Sequence, residues 1–231
     1  MEYHFLLLSL IFTMPGVTIY ILRPDLRIVI RRLMLCSIPF AFTEFLFYPD
    51  YWEPKFLFDL ASRIGFGIED FIFVMGLAAF TGTGYAVVFR KTLRPEKSVS
   101  RGRIAWRLGI LGLITLALTI FQAGLSIPMI YGALITMLAV AIGITRIRRD
   151  LMMPSVFGGF ISAGIYFVLC WIMLLFIPEI FEFNWNLEAF SATYILGVPL
   201  EELLYGFAAG SIASIFYPFV FSCRYVTKKV V

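Results

Sequence analysis

Residues 197–221 read GVPLEELLYGFAAGSIASIFYPFVF. A helix needs about 20 mostly apolar residues to cross a bilayer, and this run is long enough. Yet it carries two adjacent glutamates, Glu201 and Glu202, near its start. A carboxylate in hydrocarbon costs roughly 3 kcal/mol on insertion scales and more in simulations. A membrane helix with such a doublet implies either strong partners for the acids or a use for their protons.

The rest of the chain has the same character. Of its 231 residues, 61% are hydrophobic and 15% charged, against about 25% charged in an ordinary soluble domain. The mean hydropathy is +0.91. The fold class is therefore all-α, a polytopic membrane bundle. Seven apolar stretches are expected to span, roughly 3–22, 29–48, 64–89, 105–122, 126–145, 153–177 and 192–221. The first has no basic n-region and no small-residue cleavage site, so it reads as a span rather than a signal peptide. The longest connection, RKTLRPEKSVSRGRI (residues 90–104), is expected to act as a hinge between halves.

Charge sets the expected orientation. Of the 19 lysines and arginines, 17 fall in the loops after spans one, three, five and seven or at the flanking helix ends. Only Lys55 and Arg63 lie on the other side, which carries Glu2, Asp50, Glu53, Asp59, Glu179, Glu182 and Glu188. Cytoplasmic loops carry the lysine and arginine excess. The N-terminus is thus expected outside and the C-terminus in the cytoplasm, in a multi-pass protein of the cell membrane. The net charge of +4 reads as a topology signal, not as a nucleic-acid footprint.

The chain also repeats itself. Residues 47–73, FYPDYWEPKFLFDLASRIGFGIEDFIF, resemble residues 181–205, FEFNWNLEAFSATYILGVPLEELLY. Trp52 aligns with Trp185, Glu69–Asp70 with Glu201–Glu202, and Phe73 with Tyr205. Three spans (residues 1–90) then repeat as three more (residues 125–231), with residues 91–124 supplying a basic linker and one linking helix. An odd linking helix gives both copies the same orientation. Parallel repeats place a shared site at their interface.

Five acids fall within the expected spans: Glu44, Glu69, Asp70, Glu201 and Glu202. At about 1.5 Å per residue, all five sit in the outer half of the membrane. Successive helical residues point about 100° apart, so in each doublet one acid can face the bundle centre and the other a neighbouring helix. Removal from water disfavours the charged form of a carboxyl. A carboxyl that keeps its proton at neutral pH can donate it, which is the general-acid device. Capping or bonding to a neighbouring Ser, Tyr or Trp is the bland alternative, and for Glu44, which has no acidic counterpart in the second copy, the two readings weigh alike. Aromatic residues, 17% of the chain, suit an interfacial belt, with Trp52, Trp185, Tyr48, Tyr51 and Phe183 at the outer edge. Ring faces also stabilise cations, and Phe71, Phe73 and Tyr205 stand beside the acids. In ILRPDLR (residues 21–27), Pro24 ends the first span and Asp25 is expected to cap the next helix or to pair with an arginine.

Absences narrow the chemistry. GTGYAV (residues 82–87) lies in an apolar helix and lacks the third glycine of a dinucleotide fingerprint. His4 is the only histidine, and the three cysteines, Cys36, Cys170 and Cys223, match no metal or redox spacing. Every lysine falls in a loop or tail, so no retinal Schiff base is expected. The paired Asp-rich motifs of a membrane prenyltransferase are missing. No cofactor and no metal is expected.

The doublet in PLEELLY (residues 199–205), echoed as GIEDFIF (residues 67–73) with a tryptophan about 16 residues upstream, resembles the lycopene cyclase domain family of small integral-membrane carotenoid cyclases. The family pattern is Pro-x-Glu-(Glu/Asp)-x-x-(Phe/Tyr). Residues 199–205 fit it in full, whereas Gly67 replaces the proline in the first copy. The resemblance implies an isomerase-type enzyme that closes the open ψ-ends of lycopene into ionone rings by a proton-initiated carbocation route, with no net redox. It implies a linear carotenoid as partner, in a site open sideways to membrane lipid, in a monomer or a homo-oligomer. It implies Glu201 or Glu202 as the acid, Glu69 or Asp70 as base or cation stabiliser, and Glu44 as their partner. Phe71, Phe73, Tyr205, Trp52, Trp185 and Pro199 are the implied substrate contacts. The competing classes are a carotenoid end-group hydratase, a proton-coupled transporter and a non-catalytic membrane scaffold.

Overall fold

The computed structural model describes residues 4–96, 99–186 and 191–228. Glu2, Lys97, Glu188 and Lys229, four charges of the topology argument, lie outside the described residues. In chain order the elements are α1 (His4–Leu22), α2 (Arg27–Ala41), α3 (Leu60–Ile64), α4 (Ile68–Thr81), α5 (Gly84–Val88), β1 (Lys91–Pro95), α6 (Arg101–Gly124), α7 (Met129–Ile147), α8 (Met152–Phe176), α9 (Ile180–Asn184), β2 (Tyr194–Ile195), β3 (Val198–Pro199), α10 (Leu200–Val220) and β4 (Cys223–Thr227).

Among the described residues, six helical stretches are long and apolar enough to cross a membrane: His4–Leu22, Ile68–Val88, Arg101–Gly124, Met129–Ile147, Arg149–Phe176 and Leu200–Val220. The stretch expected as the second of seven spans takes a different form. α2 has only 15 residues and carries Arg27, Arg31 and Arg32, and a 3-10 segment, Phe42–Leu46, continues it. The last span also starts later than its apolar run suggests. Leu196 and Gly197, both at positive φ, close a two-residue hairpin between β2 and β3, as a type I′ turn requires. α10 begins only after Pro199.

α4 packs between α1 and α2, and α10 between α7 and α8. The α8–α10 crossing is the closest. A Cβ on Gly158 would stand 2.0 Å from Ser214 Oγ, and one on Gly210 would stand 2.3 Å from the Ser162 Cβ. Small residues let helix backbones approach this closely in an apolar medium, where packing rather than water exclusion drives association.

The bundle has two unlike ends. At one, the segments 47–67, 177–186 and 191–199 cover the starts of α4 and α10. Trp52 and Trp185 face each other there in an isolated antiparallel bridge, fixed by Glu53 N–H to the Asn184 carbonyl (2.8 Å) and Asn186 N–H to the Tyr51 carbonyl (2.9 Å). At the other end β1 and β4 form a two-stranded antiparallel sheet in which Leu93 stands opposite Tyr225. The segment expected as a hinge therefore opens with a paired strand. Arg23 ties this end together. It donates to both oxygens of Asp25 (2.9 and 2.8 Å) and to the Lys91 carbonyl (2.6 Å). Its guanidinium holds the Asp25 carboxyl well below the usual carboxylate range.

Candidate active site

Both acidic doublets open a helix at the covered end. Each sits in the first turn, where the unpaired N–H groups favour negative charge. All four carboxylates are buried, with residue exposures between 0 and 5%. Because neighbours on a helix point about 100° apart, each doublet divides. Asp70 and Glu202 line a cavity between the two halves, and Glu69 and Glu201 do not.

The two outward members do similar work. Glu69 Oε1 accepts the Leu57 N–H at 2.6 Å. Glu201 Oε1 accepts the Ser191 N–H at 3.1 Å and the Tyr131 hydroxyl at 2.9 Å. Each thereby fastens the loop that precedes its own helix, and in each the second oxygen, Oε2, has no hydrogen-bond partner.

The two inward members differ. Asp70 Oδ2 accepts the Gly67 N–H at 2.7 Å. Glu44, in the middle of the 3-10 segment after α2, lines the same cavity. Glu44 Oε1 in turn accepts the Trp52 indole N–H at 2.6 Å. Glu202 stands among donors. Its Oε1 accepts from the Tyr51 hydroxyl (2.7 Å) and from the Trp185 indole N–H (2.9 Å), and its Oε2 accepts from the Tyr166 hydroxyl (2.6 Å). The two bridged tryptophans thus serve one carboxylate each. Trp52 holds Glu44, and Trp185 holds Glu202.

The cavity between them has a volume of about 80 Å³. Its walls are mainly aromatic, with Phe12, Phe47, Phe73, Trp52, Trp185 and Tyr205 among them. Tyr205 is close enough to interact with both Glu202 and Glu44. Of the residues implied by the sequence, seven meet here: Glu44, Asp70, Glu202, Phe73, Tyr205, Trp52 and Trp185. Glu69, Glu201, Phe71 and Pro199 do not line it. Phe71 instead packs edge-on against Phe42 and Phe66, and Pro199 is the residue that α10 starts from. Tyr51 and Tyr166, which bond Glu202, were not among the implied site residues. Tyr51 reads in the sequence as one more belt aromatic, and Tyr166 is a single tyrosine in an apolar helix. Among the described residues no group of three or more His, Cys, Asp or Glu is arranged to hold a metal ion.

Gly67, the departure from the repeated motif, has a local reason. It precedes α4 with φ −123° and donates its N–H to Asp70. Proline has no N–H to give and holds φ near −65°. A Cβ here would also stand 2.4 Å from Phe56 Cδ1 and 2.7 Å from Glu69 Oε2.

Residues 128–220 match the family model described as Lycopene cyclase. This segment belongs to the lycopene cyclase family. It runs from the start of α7 through the last residue of α10, and so contains Glu201, Glu202, Tyr166, Trp185 and Tyr205. No curated protein and no solved structure matches the chain.

Proposed function

We propose that the chain closes the open end of a linear carotenoid such as lycopene into an ionone ring, by proton transfer and without net redox. One observation carries the reading. A pair of acids, Glu44 and Asp70, and a carboxylate held by three donors, Glu202, line the same aromatic cavity. The family match over residues 128–220 supports the substrate class.

The proposed roles follow from the bonding. The Glu44–Asp70 pair gives a proton to the terminal double bond. The neighbouring carbon becomes a tertiary cation, and the next double bond attacks it to close the six-membered ring. The new cation loses a proton to Glu202. Substrate and product are isomers, so one proton enters and one leaves, and the site is restored when the proton on Glu202 returns to the pair. Trp185 Nε1 can only donate, which keeps Oε1 of Glu202 an acceptor and a negative pole for the passing cation. The faces of Phe12, Phe47 and Phe73 offer the quadrupole attraction that a cation without water needs. Preorganised groups of this kind supply most of the stabilisation of developing charge in enzymes.

The two halves are read as parallel repeats about an axis through the bundle. In favour are the equivalent tryptophans opposite each other at one end and Leu93 opposite Tyr225 at the other. In this reading α2 with its 3-10 extension, rising roughly 32 Å by standard helix geometry, is the seventh crossing. The lysine and arginine excess argues for the covered, acidic end outside and the strand end in the cytoplasm.

The test is expression in a bacterial host engineered to accumulate lycopene, with pigments separated by chromatography and identified by absorption. Monocyclic or bicyclic carotene is the expected product. A hydroxylated acyclic carotenoid would mean that water captures the same cation. Unchanged lycopene, with the protein present in the membrane, would overturn the proposal.

A further inference from the structure

A second, larger hollow adjoins the acidic cavity. It has a volume of about 250 Å³ and shares Phe40, Thr43, Phe47, Val74 and Tyr205 with the first. Its walls come from α2, α4, α6, α7 and α10, and no Asp, Glu, Lys, Arg or His is among them. The hydroxyls it does contain are largely spent. Thr43 and Thr81 donate to carbonyls of Phe40 and Leu77, Ser37 donates to the Met34 carbonyl, and Thr136 bonds Gln122. Hydroxyls bonded back in this way leave a wall that behaves as apolar. The hollow follows α10 from Tyr205 to Phe216, about 16 Å at the usual helical rise. α2 packs on α4, and α6 on α7, but neither α6 nor α7 packs broadly against α2 among the described residues.

We infer that this hollow is the berth of the polyene tail, and that the substrate enters from the lipid between α2 and the α6–α7 pair, reacting end first. This deepens the proposed function and rests on it. The occupant is fixed by continuity and chemistry. A molecule that comes through this hollow reaches the acids past the shared residues Phe47 and Tyr205. A passage with no charge and few unbonded hydroxyls suits a stiff hydrocarbon chain, and offers little to an ion or a polar solute. The hollow covers only part of a molecule about as long as the hydrocarbon core, roughly 30 Å. The remainder lies in lipid, so one end meets the acids at a time.

The experiment fills the berth and leaves the acids alone. Ala133→Phe on α7 and Thr119→Phe on α6 project bulk into it, and Leu113→Trp, an exposed position of α6 outside both hollows, is the control. Each protein is purified, checked for monodispersity and thermal unfolding, and reconstituted in phosphatidylcholine vesicles with graded lycopene. Cyclic product and retained pigment are both measured. The expected result is a tenfold or greater loss of kcat/KM in the two filled variants, mostly through KM, with the control unchanged. If the parent cyclises and the filled variants match it, the berth is wrong while the proposed function stands. If the parent does not cyclise, the proposed function falls and pigment retention decides. Retention by the parent and control but not by the filled variants keeps the berth. Equal retention by all four, or by none, overturns it.

Discussion

The starts of α4 and α10 are the same device built with different chemistry. Each opens with a doublet whose first acid fastens a loop and whose second faces the cavity. At α10 the motif proline precedes the doublet, offers no N–H, and leaves Glu202 to be held by Tyr51, Tyr166 and Trp185. At α4 glycine replaces the proline and caps Asp70 with its own N–H, and a further acid of the cavity, Glu44, is held by Trp52. Glu202 accepts from three side chains, whereas Asp70 accepts from a backbone cap. Two similar helix starts thus present two unlike acids, and unlike acids are what the proposed reaction needs, since one proton is given and another taken.

The comparison breaks most sharply at the inward acids. Glu202→Gln, Asp70→Asn and Glu44→Gln keep the shapes and remove the charges or the protons. General acid–base groups contribute about 10²–10⁴-fold, so each variant is expected to lose at least ~10²-fold in cyclic product formed per unit of membrane protein. Glu202→Gln should lose most, because its amide NH₂ would also face a donor. Pigment chromatography from the lycopene-accumulating host reads the loss. Full product from Glu202→Gln together with Asp70→Asn would remove the polarity argument altogether.

The motif departure gives the next contrast. Gly67→Pro removes the cap on Asp70 and drives new atoms against Phe56 and Glu69 Oε2. A lost cap costs about 1 kcal/mol and overpacking typically 1–3 kcal/mol more. Pro199→Gly loses only the rigidity of the proline, about 0.4–1 kcal/mol. Thermal unfolding in detergent is therefore expected to fall clearly for Gly67→Pro and slightly for Pro199→Gly, with activity following in the same order. Equal shifts would mean that the two helix starts are interchangeable.

The apolar runs and the two doublets were open to reading because they are local, in a pattern that helix geometry enforces. The strand pair 91–95 with 223–227 was not, because its pairing joins segments more than 120 residues apart in sequence. The hairpin before α10 was hidden for another reason. Its turn uses Leu196–Gly197 rather than the usual Asn-Gly, and its residues are apolar enough to pass as helix. Within the site, Trp52 and Trp185 could be paired from spacing alone. The contacts of Tyr51 and Tyr166 with Glu202 cross 151 and 36 residues, and a single tyrosine has no period to betray it. Nor could the sequence say which acid of each doublet turns inward. That depends on where the helix starts, and one residue of error rotates the choice by about 100°.

The outward acids supply the smallest effect and the finest test. In Glu69→Gln and Glu201→Gln the side-chain carbonyl can still accept the Leu57 or Ser191 N–H, and the new NH₂ falls where Oε2 has no partner. Neither residue lines the cavity, so cyclic product is expected within about tenfold of the parent, far from the loss at the inward positions. A loss as large as that of Glu202→Gln would show that the outward oxygens are not idle. The proton would then have a route through the loop side of each helix, and the division of each doublet into a working and a fastening acid would have to be abandoned.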